Sequence, residues 1–153
     1  MTDVDPIPSE YPRLSPYLAV DNANAAIEFY CQVLDAVLRL RLDGPDGKVG
    51  HAELEFGTSI LMLADEFAEA GNQSPKSLGG TAVTLSLYVG DVDAVHARAL
   101  AAGAVELRAP SDQFYGDRTA GFEDPFGHRW FIASRIEDVS PEEMQRRSAA
   151  SQN

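Results

Sequence analysis

Two stretches of this 153-residue chain repeat the same pattern. The segment YLAVD at 17–21 leads into a helical pattern, and the segment SLYVGD at 86–91 does the same 69 positions later. Three segments of alternating apolar and polar residues follow each helix, which is typical of strands. Each half is too short to bury its own sheet face alone. The repeat therefore predicts two βαβββ modules that pair into one α+β body.

The expected boundaries follow from changes in composition along the chain. We expect an N-terminal tail over 1–13 and a single domain over 14–136, made of module one at about 14–65 and module two at about 81–136. A stretch rich in Gly, Ser, Asn and Pro predicts a linker over 66–80. Ser140, Pro141 and Glu143 combine a cap, a first-turn proline and a capping-box acid, which predicts a C-terminal helix and tail over 137–153.

The charge balance narrows the classes of partner. Twelve Lys and Arg against twenty-four Asp and Glu leave a net charge of −12, which disfavours nucleic acid and anionic membranes as partners. Seven of the acids lie in the termini, and Asp21, Asp91 and Asp124 are assigned to helix caps and a turn. We take only Glu53, Glu55 and Asp65 as acidic site candidates. The first residues lack the basic and apolar segments of a signal peptide, and we expect a cytoplasmic protein.

Five segments in matching order carry a family resemblance: LSPYLAVDNANAAIEFY, GHAELEFGTSILMLADE, SPKSLGG, LYVGDVDAV and DQFYGDRTAGFEDPFGHRW. Together they resemble the vicinal-oxygen-chelate superfamily, which includes glyoxalase I, extradiol dioxygenases and bleomycin-resistance proteins. The last segment is similar to the PhnB-like branch. The resemblance covers about residues 14–135. It implies the glyoxalase/bleomycin resistance fold, with two modules forming a curved mixed sheet around a cavity, and a homodimer.

The resemblance also implies where a metal ion would bind. In the metal-dependent members, ligands project from the first and last strands of each module, and these places fall near Ser15, Met62, Thr84 and Phe131. A thioether and a phenyl ring do not serve as ligands for the usual divalent ions, and two hydroxyls are poor ligands by themselves. We therefore expect no metal and no other cofactor.

His51 and Glu53 are the candidate catalytic residues, because both lie on one face of the strand predicted over 49–56. An imidazole beside a carboxylate is a general acid/base pair. The alternative is that they form cross-strand pairs with Arg39 and Arg41 on the neighbouring strand. His96 is expected on a solvated helix face.

Nine residues are candidates for ligand binding: Tyr17, Met62, Asp65, Thr84, Ser86, Gln113, Tyr115, Arg118 and Phe131. Together with Tyr88, the residues Tyr17, Met62 and Phe131 suit a flat apolar ligand. Arg118 suits a ligand carboxylate or phosphonate. The alternative is that the segment DQFYGDR is a tight loop that needs Gly116 and pairs its charges locally.

Three functions stay open at this point. The first is a metal-free protein that binds a small organic ligand in the sheet cavity. The second is a glyoxalase-like lyase or isomerase that uses His51 and Glu53, with or without a divalent metal at a non-standard site. The third is a structural or interaction role. Whether the protein is an enzyme is not decided by the sequence.

Overall fold

A computed structural model describes residues 3–152, and the contacts within the chain divide it into two compact units. The units are Met1–Leu78 and Gly79–Asn153, so the division falls inside the predicted linker. Each unit contains one four-stranded mixed sheet with a helix that follows the first strand. The prediction of an α+β fold with two βαβββ modules is confirmed.

The first unit orders its strands β1-β4-β3-β2, with β1 parallel to β4 and the other pairs antiparallel. Its main elements are β1 (Tyr17–Val20), α1 (Ala23–Leu34), β2 (Val37–Asp43), β3 (Val49–Phe56) and β4 (Ser59–Asp65). Helix α1 begins where the side chain of Asn22 accepts a hydrogen bond from the Ala25 amide, and it ends where Asp35 turns left-handed. Its apolar face, including Tyr30 and Val33, is buried.

The predicted linker is folded rather than loose. It contains the short helix α2 (Pro75–Leu78). Glu66 accepts hydrogen bonds from the Ser77 hydroxyl at 2.6 Å and the Ser74 hydroxyl at 3.0 Å, and Ser74 is fully buried. These two hydroxyls hold the pKa of Glu66 below its usual 4.5. The polar composition that suggests a linker is thus used for local hydrogen bonds.

The second unit orders its strands β5-β8-β7-β6. Its elements are β5 (Thr84–Tyr88), α3 (Val92–Ala101), β6 (Val105–Asp112), β7 (Asp117–Glu123), β8 (Arg129–Arg135) and α4 (Pro141–Ala150). Strand β6 contains register shifts on both sides of Arg108, which interrupt its alternation. Within the described residues 3–152, no helix is long and apolar enough to cross a membrane.

One helix-face expectation is wrong. His96 on α3 is only 7 % exposed, and its Nε2 lies 3.0 Å from a carboxylate oxygen of Glu106 on β6. Helix α3 packs against β6, β7 and β8, so a side chain on the packed face of the helix is covered.

The cross-strand pairing within one sheet has a counterpart at the corresponding positions of the other sheet. In the first sheet, Tyr17 lies opposite Met62, and Met62 lies opposite Glu53. In the second sheet, Ser86 lies opposite Phe131, and Phe131 lies opposite Gly121. We call these sets the polar row (Tyr17, Met62, Glu53) and the open row (Ser86, Phe131, Gly121).

Candidate functional site

A chain of side-chain hydrogen bonds crosses one face of the first sheet. Tyr17 Oη lies 2.9 Å from His51 Nδ1, and His51 Nε2 lies 2.9 Å from Glu53 Oε2. Tyr11 completes the chain by donating its hydroxyl to Glu53 Oε1 at 2.9 Å. We call these four residues the relay. The structure therefore brings the two candidate catalytic residues together and joins them to Tyr17.

With His51 as a neutral imidazole, the relay has one consistent assignment of protons. Nε2 of His51 faces an ionised carboxylate, so it carries the ring proton and donates it to Glu53. Nδ1 is then free to accept, and the hydroxyl of Tyr17 donates to it. This assignment makes Glu53 the acceptor at one end and Tyr17 the donor at the other.

Glu53 stays ionised although it is only 3 % exposed. Burial alone would raise the pKa of its carboxyl, but hydrogen bonds from His51 and Tyr11, with the nearby charge of Arg39, outweigh it and bring the pKa below 4.5. Burial and the charge of Glu53 raise the pKa of Tyr17 above 10.0. The bond to Glu53 raises the pKa of Tyr11 in the same way. Both tyrosines are therefore protonated at neutral pH.

The two arginines of β2 behave differently. Arg39 lies 3.7 Å from Glu53 Oε1 and places its guanidinium 4.5 Å from the ring centre of Tyr11. Arg41 instead donates to Asp43 at 2.8 Å and to Asn24 at 2.6 Å. Of the expected cross-strand pairs, the structure therefore contains only the one between Arg39 and Glu53.

A cleft of about 540 Å³ lies beside Tyr17 in the first unit. Its walls come from residues between 44 and 50, in the β2–β3 turn and the start of β3, and from residues between 64 and 72, at the end of β4 and beyond it. Lys48 and Asn72 supply polar groups, and Phe67, which is 59 % exposed, supplies a second ring. The segment 43–47 has the Gly, Pro and Asp residues typical of a turn, but this composition does not indicate that the turn forms a wall.

Asp65 also lines the cleft, but its carboxylate already serves the fold. One oxygen accepts from the Ala23 amide at 2.8 Å and the other from the Val49 amide at 2.8 Å. These bonds hold the start of α1 and the start of β3 against the end of β4. Asp65 therefore fixes the backbone segments that form the cleft, and both of its carboxylate oxygens are already hydrogen-bonded.

The second unit contains a cavity of about 290 Å³ on its sheet. We call it the second-unit cavity. Two predicted ligand-binding residues, Thr84 and Phe131, line it, and Ser86 lies opposite Phe131 in the register. Arg108 and Arg129 also line it, and neither was among the sequence candidates. Arg108 escapes detection because it lies in the part of β6 where the alternation fails.

Arg118 is fully engaged elsewhere. Its guanidinium contacts both carboxylate oxygens of Asp93, at 2.7 and 2.9 Å, and one oxygen of Asp112 at 2.8 Å. These bonds raise the pKa of Arg118 further above its already basic value. Asp93 lies on α3, so the guanidinium is directed to the helix side of the sheet. The structure thus assigns Arg118 a structural ion pair.

Gln113 and Tyr115 belong to the tight connection between β6 and β7. The Gln113 amide donates to Thr119 at 3.1 Å, and burial raises the pKa of Tyr115. Gly116 has a φ of +95°, and a side chain there would collide with the backbone oxygen of Glu137. The loop therefore needs its glycine, as the structural alternative proposed.

The four places that the family resemblance indicates for a metal do not fit one. They offer a hydroxyl at Ser15, a thioether at Met62, a hydroxyl at Thr84 and a phenyl ring at Phe131. Ser15 Oγ is buried and has no hydrogen-bond partner in the described part of the chain, yet it is a weak ligand by itself. Across residues 3–152, no group of three or more His, Cys, Asp or Glu side chains could hold an ion together.

Comparisons with known proteins cover most of the chain. The sequence profile of the Glyoxalase/Bleomycin resistance protein/Dioxygenase superfamily matches residues 13–132. The uncharacterized protein Rv0887c of Mycobacterium tuberculosis is 47 % identical over 137 residues, which are 88 % of this chain and 81 % of that protein.

Several solved structures have a fold similar to that of this chain. TioX from Micromonospora sp. ML1 is 26 % identical with a TM-score of 0.63, covering 82 % of this chain and 99 % of that one. PA1353 from Pseudomonas aeruginosa is 25 % identical with a TM-score of 0.65, over 82 % and 99 % of the two chains. The PhnB protein from Bacillus cereus has a TM-score of 0.62 at 16 % identity, over 80 % and 99 %, which shows a shared fold alone.

Proposed function

Because the chain belongs to the glyoxalase/bleomycin resistance protein/dioxygenase superfamily, we propose that it binds a small organic molecule in the cleft of the first unit without a metal ion. The observation that carries this proposal is the cleft itself. Its volume of about 540 Å³ lies within the range of small-molecule sites. The poor donor set at the metal positions of the family supports the metal-free part of the proposal.

The lining of the cleft favours a ligand with a flat apolar body and a polar edge. Tyr17 and Phe67 are half exposed or more and present rings, while Lys48 and Asn72 present hydrogen-bond donors. Tyr17 is held in place because its hydroxyl is bonded to His51. A ring fixed in this way loses little conformational entropy when a ligand packs on it.

Binding is tested on protein treated with a chelator, using a library of neutral aromatic fragments detected by saturation-transfer NMR. Replacing Tyr17→Ala is expected to weaken the best fragment about tenfold, since it removes a ring wall of the cleft. The matched control is Tyr88→Ala, which removes an exposed tyrosine of the second unit. A stoichiometric divalent ion in untreated protein, required for fragment binding, would contradict the proposal.

A second candidate function is proton transfer, and the relay favours it. Tyr17 belongs to both the relay and the cleft. In the proposed step, Tyr17 Oη accepts a proton from a carbon beside a ligand carbonyl while its own proton moves to His51 Nδ1. The resulting imidazolium is paired with the carboxylate of Glu53. This is the chemistry that a lyase or isomerase needs.

Deuterium uptake in D₂O tests this candidate, with hydroxyacetone as the probe and ¹H NMR as the readout. The wild-type protein is expected to exchange the carbon-bound protons beside the carbonyl faster than buffer. Tyr17→Phe, His51→Ala and Glu53→Gln should each abolish the excess. If the wild type exchanges no faster than buffer, proton transfer is wrong while fragment binding stands.

We also propose that the protein is a cytoplasmic homodimer. The edge strand β2 exposes four apolar side chains, from Val37, Leu38, Leu40 and Leu42, and an apolar edge of this kind favours a partner surface. The single thiol, Cys31, leaves no intrachain disulfide to be lost in a reducing compartment. Light scattering should give twice the 16.5 kDa chain mass, and a monomer at all concentrations would overturn the dimer.

A further inference from the structure

Two arginines line the second-unit cavity of a chain whose net charge is −12. Arg108 comes from β6 and Arg129 from β8, and they approach the cavity from opposite sides of β7. A protein with a large negative charge repels anions. The two cationic side chains attract an anion at this cavity and so favour an anionic ligand there.

Of the two arginines that line the cavity, Arg108 is the one without a carboxylate partner among residues 3–152. Arg129 lies 3.7 Å from the carboxylate of Glu123, and Arg118 is occupied by Asp93 and Asp112. No ion pair or side-chain hydrogen bond among residues 3–152 involves the guanidinium of Arg108. Its planar fork of donors matches the two oxygens of a carboxylate.

Gly121 keeps the space beside Arg108 open. It lies opposite Arg108 on one side and Phe131 on the other. A Cβ at this position would make only ordinary contacts, 3.6 Å from the Trp130 carbonyl oxygen and 3.7 Å from Arg108 Cβ, and its φ is not left-handed. The backbone therefore does not require glycine here, and the missing side chain is part of the cavity.

We propose that the second-unit cavity binds an aromatic carboxylate of one or two rings. The carboxylate pairs with the fork of Arg108, the hydroxyl of Thr84 donates to it, and the ring packs on Phe131 and Leu107. The volume of about 290 Å³ lies at the small end of ligand sites, which limits the ring count. All of these residues lie in the second unit, so the site does not depend on the cleft of the first.

The experiment compares two probes of equal shape, 2-naphthoate and its neutral amide, by calorimetry at neutral pH. We expect saturable binding of naphthoate and at least about tenfold weaker binding of the amide, because a charge-assisted pair contributes on that order. Arg108→Met should reduce naphthoate to the affinity of the amide. Arg146→Met is the matched control, since it removes an equal charge from helix α4 outside the cavity.

A second variant separates the site from general electrostatics. Gly121→Leu fills the cavity and is expected to abolish binding of both probes, whereas Arg108→Met affects only the anion. Circular dichroism checks that each variant is folded. If Gly121→Leu does not fold, Phe131→Leu replaces it, since it removes the ring on which both probes pack and should weaken both of them. Equal binding of the two probes, an unchanged affinity in Arg108→Met, or no saturable binding by the wild type would each overturn the proposal. Loss of fragment binding in Tyr17→Ala leaves it intact.

Discussion

The polar row and the open row occupy the same positions of two similar sheets, yet their faces are used differently. In the polar row, Glu53 is buried, ionised and bonded to His51 and Tyr11. In the open row, Gly121 stands at the corresponding position and leaves a cavity beside Phe131. The same strand arrangement therefore supports a hydrogen-bonded face in the first unit and a face with a cationic cavity in the second. Much of the difference comes from one position, which is Glu53 in the first unit and Gly121 in the second.

The contrast has an energetic side. A buried carboxylate is stable only while its hydrogen bonds and its nearby cation persist, so the polar row depends on every member of the relay. The open row carries no buried charge at Gly121 and depends on few contacts. The first face should be sensitive to substitution, and the second should be tolerant.

The largest expected effect is that of Glu53→Ala. It leaves His51 and Tyr11 without their shared acceptor in a covered site, and we expect a loss of about 3 kcal/mol in the free energy of unfolding, measured by urea denaturation. The control is Glu55→Ala on the same strand, whose carboxylate is 41 % exposed and which should cost less than about 0.5 kcal/mol. Equal losses in the two variants would remove the basis of the comparison.

The pH dependence of stability comes next. Glu53 has a pKa below 4.5 in the folded protein, so its ionised form stabilises the fold above that value. This contribution is lost as the pH falls through the lower, folded pKa. The unfolding free energy of the wild type should therefore drop more steeply below about pH 4.5 than that of Glu53→Gln. Parallel pH profiles for the two proteins would show that Glu53 is not held in this way.

Tyr17→Phe is expected to have a moderate effect of about 1 kcal/mol, because one hydrogen bond to His51 is lost. A double-mutant cycle sharpens the prediction. Tyr17→Phe and Glu53→Gln should be non-additive, since both belong to the relay. Tyr88→Phe, which removes a 2.8 Å hydrogen bond to Asp117 in the second unit, should be additive with Glu53→Gln. Additivity in both cycles would mean that the relay does not act as a unit.

The smallest expected effect is that of Gly121→Ala. The added Cβ makes only ordinary contacts, so the unfolding free energy should change by less than about 0.5 kcal/mol. Thermal unfolding is a sufficient measurement. A loss as large as that of Glu53→Ala would mean that the open row is packed as tightly as the polar row.

The repeat made the architecture predictable. The alternation on β3 placed His51 and Glu53 on one face, and the helix caps Asn22 and Asp91 are residues of the types that favour this position. Such local patterns reflect geometry with a period of two or 3.6 residues, which a sequence displays directly.

The contacts that define the sites were not predictable in the same way. Tyr11 lies in the segment expected to be a tail, and its partner is 42 positions away. Arg118 was expected to bind a ligand. Its guanidinium instead pairs with Asp93, which lies 25 positions away in the sequence. Arg108 lies where register shifts break the alternation of β6. Each of these depends on tertiary neighbours that no local pattern encodes.

The most direct test of the account is a map of ligand binding by ¹⁵N NMR on chelator-treated protein titrated with neutral aromatic fragments. We expect saturable shifts of backbone amides around the cleft, at residues 44–50 and 64–72, with no metal added. Shifts that appear only after a divalent ion is supplied, or that leave both segments unchanged for every fragment, would contradict it.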